Sequence, residues 1–208
     1  MNVRRTTGTT AQNQANNPEQ RDLLHEVRTC RLCHDVLDPN PVIQLGSRAR
    51  LLIVGQAPGL KVHQTGIPWN DASGDRLRQW MGIDRETFYN PDQVAILPMG
   101  FCYPGRGRSG DNPPDKRCAP LWHPRLLALL PDLVLTLYVG QYAQRHYLEH
   151  FTSLTDTVAR WSEYGEARLP LPHPSPRNTL WLKRHPWFEK EVVPELQRRI
   201  TGLFADHS

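Results

Sequence analysis

The uninterrupted apolar stretches of this chain are short, and they stop at glycine or proline. Leu51-Leu52-Ile53-Val54 runs directly into Gly55, and the segment 132–140 (DLVLTLYVG) ends at Gly140. Apolar runs of this length without polar alternation predict strands buried on both faces of a parallel sheet. VAILPM at 94–99 predicts another strand, weakened at its end by Pro98, and a short extended segment around 168–171 delivers His173. Between these runs the polar positions recur with helical period. Residues 18–29 place Leu23, Leu24 and Val27 on one face; residues 73–83 do the same with Leu77, Trp80 and Met81, with Ser73 or Asp75 as the cap. Further helices are predicted over 119–131, 141–150 and 186–200, the last kinked at Pro194, while 55–73 reads as a loop.

Strands alternating with helices predict an α/β fold: a three-layer α/β/α sandwich around a small, mainly parallel sheet of about four strands. In such sheets the ligand crevice lies beyond the carboxyl ends of the strands. Gly55–Gly59, Pro98–Cys102, Gly140 and His173 all follow predicted strand ends, so one crevice should collect them.

Composition narrows this only modestly. The 208 residues suit one domain over 20–208, with the polar stretch 1–19 expected to be a disordered tail. No apolar run approaches the ~20 residues of a membrane helix, and the N-terminus lacks an apolar leader, so the expectation is a cytoplasmic chain with no membrane partner. The net charge is +4, and arginines concentrate in two turn-rich stretches, 104–117 and 176–188, which suits a polyanionic partner. There are four cysteines: the pair Cys30-x-x-Cys33, then Cys102 and Cys118. In a reducing compartment that set points to a metal or redox site rather than to disulfides.

Two turns carry candidate chemistry. Gly55-Gln56-Ala57-Pro58-Gly59 follows a strand and lets backbone N–H groups approach a ligand closely. His173 sits between Pro172 and Pro174, where a ring could donate a hydrogen bond to an oxygen that becomes anionic during a reaction.

Together these residues resemble the uracil-DNA glycosylase superfamily, whose members pair a first motif of the form G-x-x-P-G/Y/A with a late H-P-S turn. Here the counterparts are Gly55–Gly59 and His173-Pro174-Ser175-Pro176. The iron–sulfur (family 4-like) branch adds G-R-P-F-x-x-x-x-G, similar to Gly66-Ile67-Pro68-Trp69-Asn70-Asp71-Ala72-Ser73-Gly74, and a CxxC followed by C-x15-C, similar to Cys30/Cys33 and Cys102/Cys118. The resemblance covers roughly residues 28–200.

The resemblance implies a monofunctional DNA glycosylase, a monomer that flips a damaged nucleotide out of DNA and hydrolyses its N-glycosidic bond. His173 would stabilise the departing base, and Trp69 would stack on it. The turn of Gly55, Gln56, Ala57, Pro58 and Gly59 would line the pocket and position water. Ser175, Arg177, Asn178, Leu180 and Trp181 would hold the DNA backbone and fill the vacated stack. Two departures stand out. Gln56 replaces the branch's Glu and cannot act as a base, which makes Asp71 the candidate to activate water. Pro98, Met99 and Gly100 replace a base-reading Asn, leaving Asn70 or main chain to read the base, and leaving open uracil, hypoxanthine, xanthine or another lesion.

The four cysteines would hold a 4Fe–4S cluster in that branch; the rival is a structural zinc held by the same four thiolates, which His34 or His123 could join. In either case the role is structural, ordering the 102–118 loop. Two other functional readings fit the same residues: a DNA-binding member of the fold with little or no glycosylase activity, and a metal-bound module whose Pro-rich loops recruit proteins.

Overall fold

The computed structural model describes residues 18–108 and 110–205. The expected tail lies outside these residues except for Pro18 and Glu19, which open the first helix. Four strands, β1 (Leu51–Val54), β2 (Val94–Ile96), β3 (Leu135–Val139) and β4 (Arg168–Leu171), form one all-parallel sheet in the order β2-β1-β3-β4. Nine α-helices surround it among the described residues: α1 (Pro18–Arg28), α2 (Leu60–Thr65), α3 (Ala72–Met81), α4 (Arg85–Tyr89), α5 (Cys118–Leu127), α6 (Gln141–Tyr147), α7 (Leu154–Ala159), α8 (Thr179–Arg184) and α9 (Val193–Ala205).

All four residues of β1 are buried, and their alternation sorts the core into two halves. Leu51 and Ile53 pack with Leu77 and Met81 of α3, Phe88 of α4, and Leu196 and Ile200 of α9. Leu52 and Val54 pack with Leu23 and Val27 of α1, Trp122 and Leu126 of α5, and Ala143 of α6. This is the three-layer sandwich, with side chains leaving alternate faces of each strand. The strand order turns back between β1 and β3, so the crevice belongs beyond Val54 and Val139.

Several boundaries differ from the sequence expectation. The second strand stops at Ile96, although Leu97 N and Met99 N still donate to Ile53 O and Gly55 O, each at 3.0 Å. The cap of α3 is neither Ser73 nor Asp75 but Asp71, whose side chain accepts from Gly74 N at 2.9 Å. The terminal helix does not run through from 186; a π-helical turn at Phe188–Val192 precedes α9, widening the backbone just ahead of Pro194, whose ring would clash in a regular helix.

The sheet edges are closed in different ways. Outside β2, Gln44 exchanges backbone bonds with Ile96 at 3.0 and 2.7 Å, and its amide donates to Phe88 O and Val94 O. In β4, Ala167 O and Leu171 O accept from β3, at Thr136 N and Gly140 N, both at 2.9 Å. The backbone of Arg168, Pro170 and Pro172 therefore points away from β3, and both prolines are buried. The buried Arg199 of α9 donates to Arg168 O at 3.2 Å and to Gly165 O and Glu166 O, and is paired with Glu195 at 2.7 Å.

His123 of α5 is 2% exposed. Its Nε2 bonds Pro98 O at 2.9 Å, which leaves Nδ1 to accept from the Tyr147 hydroxyl. Burial depresses its proton affinity to a pKa of about 4. Below pH ~6.5 the unfolded chain takes up a proton at this ring that the folded chain refuses until about 4. Folding stability attributable to His123 is therefore present above that window and lost as pH falls through it, by about 3 kcal/mol. Urea unfolding at pH 7 and pH 4.5 should show wild type losing more stability than His123→Asn.

Candidate active site

A cleft of about 620 Å3 opens at the carboxyl ends of the strands, lined by Gly55 and Gln56 after β1, Pro98 after β2, Gly140 after β3 and His173 after β4. Ala57, Pro58, Gly59, Trp69, Asp71, Ser175, Arg177 and Asn178 also line it, so most of the expected site residues meet in one place. Asn70 does not line it. Leu180 is 57% exposed on the segment that follows the His173 turn. Trp181 is turned inward: its Nε1 donates to Thr155 Oγ1 at 2.9 Å, and its ring stacks on His185 at 4.5 Å, edge-on to Phe188. That packing holds α8 on the core, away from the cleft rim.

The His173 turn fixes both position and tautomer. Ser175 N donates to His173 Nδ1 at 3.2 Å, so in the neutral ring the proton sits on Nε2. Asn178 Nδ2 donates to His173 O at 2.7 Å, and Ser175 Oγ accepts from Arg177 N, which closes the turn. Burial lowers the proton affinity of His173, while the negative charges of Asp71 and Asp111 oppose that shift.

The ring of Trp69 lies 5.4 Å from that of His173, tilted by 31°. Trp69 reaches this place through an unusual backbone, with φ at +54°. Close packing and hydrogen bonds impose it. A side chain on Gly74 would come 1.8 Å from Trp69 O, and one on Gly55 would meet the indole at 2.9 Å, so only glycine lets helix and strand come this near. Arg78 Nη1 donates to Trp69 O at 3.3 Å, and Tyr89 Oη donates to Pro68 O at 3.0 Å. Arg78 is itself buried, held by Asp75 Oδ1 at 2.6 Å.

At the end of β2 the main-chain N–H groups of Met99 and Gly100 are already used and leave no donor for a base. Pro98 has no N–H and its carbonyl is bound by His123; Met99 N and Gly100 N donate to Gly55 O and Gln56 O, each at 3.0 Å. The sequence reading missed Asp111, which also lines the cleft. It lies in the arginine-rich loop 104–117, where only its position between Cys102 and Cys118 hinted at a role.

Those cysteines share a second, smaller pocket. Cys30, Cys33, Cys102 and Cys118 all line it, with Pro39, Pro41, Phe101 and Trp122 as apolar walls. Leu32 N and Phe101 N point at Cys30 Sγ and Cys118 Sγ, at 3.5 and 3.4 Å. Arg117 pairs with Asp35 at 2.9 Å and Asp115 at 2.7 Å, joining the CxxC turn to the start of α5. Burial pushes the Cys33 and Cys118 thiols up to about 12 and the Cys102 thiol to about 11, so keeping thiolates there requires a compensating cation. Among the described residues, no three Cys, His, Asp or Glu side chains gather closely enough for one metal ion. His123 is committed to Tyr147 and Pro98, and His34 does not line this pocket, so neither joins the four thiols.

Comparison with known proteins agrees with this geometry. The family model of the uracil DNA glycosylase superfamily matches residues 43–197. The chain is 26% identical over 141 residues to a type-4 uracil-DNA glycosylase of Sulfurisphaera tokodaii, a match covering 62% of this chain and 60% of that protein. It is also 26% identical over 144 residues to a type-4 uracil-DNA glycosylase of Archaeoglobus fulgidus, covering 67% of this chain and 68% of that one.

Proposed function

Since the chain belongs to the uracil DNA glycosylase superfamily, we propose that it is a monofunctional DNA glycosylase, hydrolysing the N-glycosidic bond of uracil or a related deaminated base flipped out of DNA. The observation that carries this reading is the His173 turn: Nδ1 is occupied by Ser175 N–H, which leaves Nε2–H as a donor beside the Trp69 ring. A base stacked on Trp69 gains ~1–3 kcal/mol. As the C1′–N bond breaks, the electron pair leaves with the base, and Nε2–H stabilises the oxygen that becomes anionic. Gln56 and the rest of the Gly55–Gly59 turn hold water at the cleft, and Asp71 lines the same cleft as a carboxylate that orients it. Ser175, Arg177 and Asn178 line the cleft on the side proposed to meet DNA, with Leu180 exposed on the segment that follows. No lysine lines the cleft among the described residues, so the side chains present favour hydrolysis over Schiff-base chemistry.

The four cysteines suit a 4Fe–4S cluster better than zinc. In a cluster each thiolate serves a different iron, so the sulfurs stand around a pocket, whereas a single zinc draws all four to ~2.3 Å. When bound, the cluster supplies a cross-link between the CxxC turn and the loop that carries Asp111. Iron and sulfide analysis should find a four-iron cluster in the intact chain. Cys118→Ser should lose it and lower the unfolding midpoint, with apolar walls left around an empty pocket.

The test of function is single-turnover base release from oligonucleotides containing uracil, hypoxanthine or xanthine, in single and double strands. Release of one of these bases supports the reading and names the substrate. Tight binding with no release from any of them overturns it in favour of a DNA-binding protein, with Gln56 in the first motif as the reason.

A further inference from the structure

Gly59 closes the first motif, and two carboxylates from separate elements converge beside it. A side-chain carbon at Gly59 would stand 3.8 Å from Asp111 Oδ2 and 4.0 Å from Asp71 Oδ2. The absent side chain therefore leaves a hollow with two acceptors on its wall, the setting in which a water is held. Asp71 reaches it from the cap of α3, with Oδ1 committed to Gly74 N and Oδ2 turned to the hollow. Asp111 reaches it from the 102–118 loop. There a backbone bridge with Arg106 and the bonds Gly107 N to Gly110 O, Asn112 N to Gly105 O and Asn112 Nδ2 to Pro104 O fix the tip. These bonds hold the residues on either side of Asp111, whose carboxylate faces the cleft. The charges of both carboxylates are felt at His173, which places hollow and ring in one site.

We propose that Asp111 is a catalytic base of this site, taking the proton of a water that Asp71 orients in the hollow beside Gly59. The inference rests on the base-releasing reading given above. The C1′–N bond breaks and its electron pair departs on the base. The water oxygen bonds to C1′, its proton passes to the Asp111 carboxylate, and that proton is then returned to the departed base or to solvent. Gln56 offers no carboxylate at the first motif, and a loop distant in sequence supplies one to the same spot.

Asp111→Asn keeps the size of the side chain and the backbone bridge but cannot take a proton. Single-turnover release at saturating protein should fall about 10²-fold. The variant's DNA affinity should be unchanged or tighter, which separates loss of proton transfer from loss of binding. Gly59→Ala is an independent check. Gly59 has φ −81°, which alanine adopts freely, and the added methyl fills the hollow without a clash. It should fold normally and release base at least about tenfold more slowly. If wild type releases base and Asp111→Asn stays within about twofold of it, the inference fails and the glycosylase reading stands. If wild type releases none of the bases tested, both fail together.

Discussion

His173→Ala should lower single-turnover base release by about 10²- to 10³-fold, the range for loss of one donor to a developing anion. The fold should survive the change. The ring is half-buried at the cleft rather than packed in either half of the core, and it gives the protein one bond from Ser175 N and a contact with the Trp69 ring. Unfolding should therefore move by about 1 kcal/mol or less. His173→Gln is the informative companion. Its amide can donate, but it cannot also accept from Ser175 N in the geometry that aims the imidazole, so it should recover only part of the rate. An alanine variant as fast as wild type would remove His173 from the chemistry and leave the tautomer argument without a function.

The second large effect is expected at Gly74. Alanine normally favours a helix over glycine by about 1 kcal/mol, and Gly74 lies inside α3. Here the sign reverses, because the added carbon would lie 1.8 Å from Trp69 O and 2.8 Å from Trp69 Cβ. Backbone has to move, and the variant should be destabilised by about 3 kcal/mol. The movement also releases Trp69 from its left-handed conformation and from Arg78, so affinity for DNA containing the excised base should fall along with stability. Urea unfolding and DNA titration read the two effects separately. A Gly74→Ala protein that is more stable than wild type would show that the approach of α3 to Trp69 is loose.

The strands were legible because a strand buried on both faces reads as an unbroken apolar run; Leu51–Val54 and Leu135–Val139 needed no further information. Gly55–Gly59 and His173 were legible as turns, since Gly and Pro have few other uses at strand ends, and the four cysteines, read as a group, do line one pocket. Helices α2, α4, α7 and α8 were not, because five or six residues give no room for a periodicity, and such helices persist by packing and capping. The packing of Trp181, expected on the DNA side, was not legible for a related reason. A tryptophan beside an exposed leucine shows no preferred face until the partners of α8, here Thr155 and Phe188, are in place. Asp71 illustrates a subtler limit: its sequence position suited catalysis, while one of its oxygens also caps α3. Asp111 had no local signal, because its neighbours read as a solvated basic loop.

The outward side of β4 has a consequence for how the protein behaves in concentrated solution. A free strand edge recruits strands from other molecules by offering alternating donors and acceptors. Along this edge Pro170 and Pro172 remove two donors, and Arg199 occupies the carbonyl of Arg168. The segment that delivers His173 is thus a poor template for edge-to-edge aggregation, although it ends a sheet and is apolar. The prolines that hold the histidine turn rigid also keep that strand from being copied onto by a neighbour.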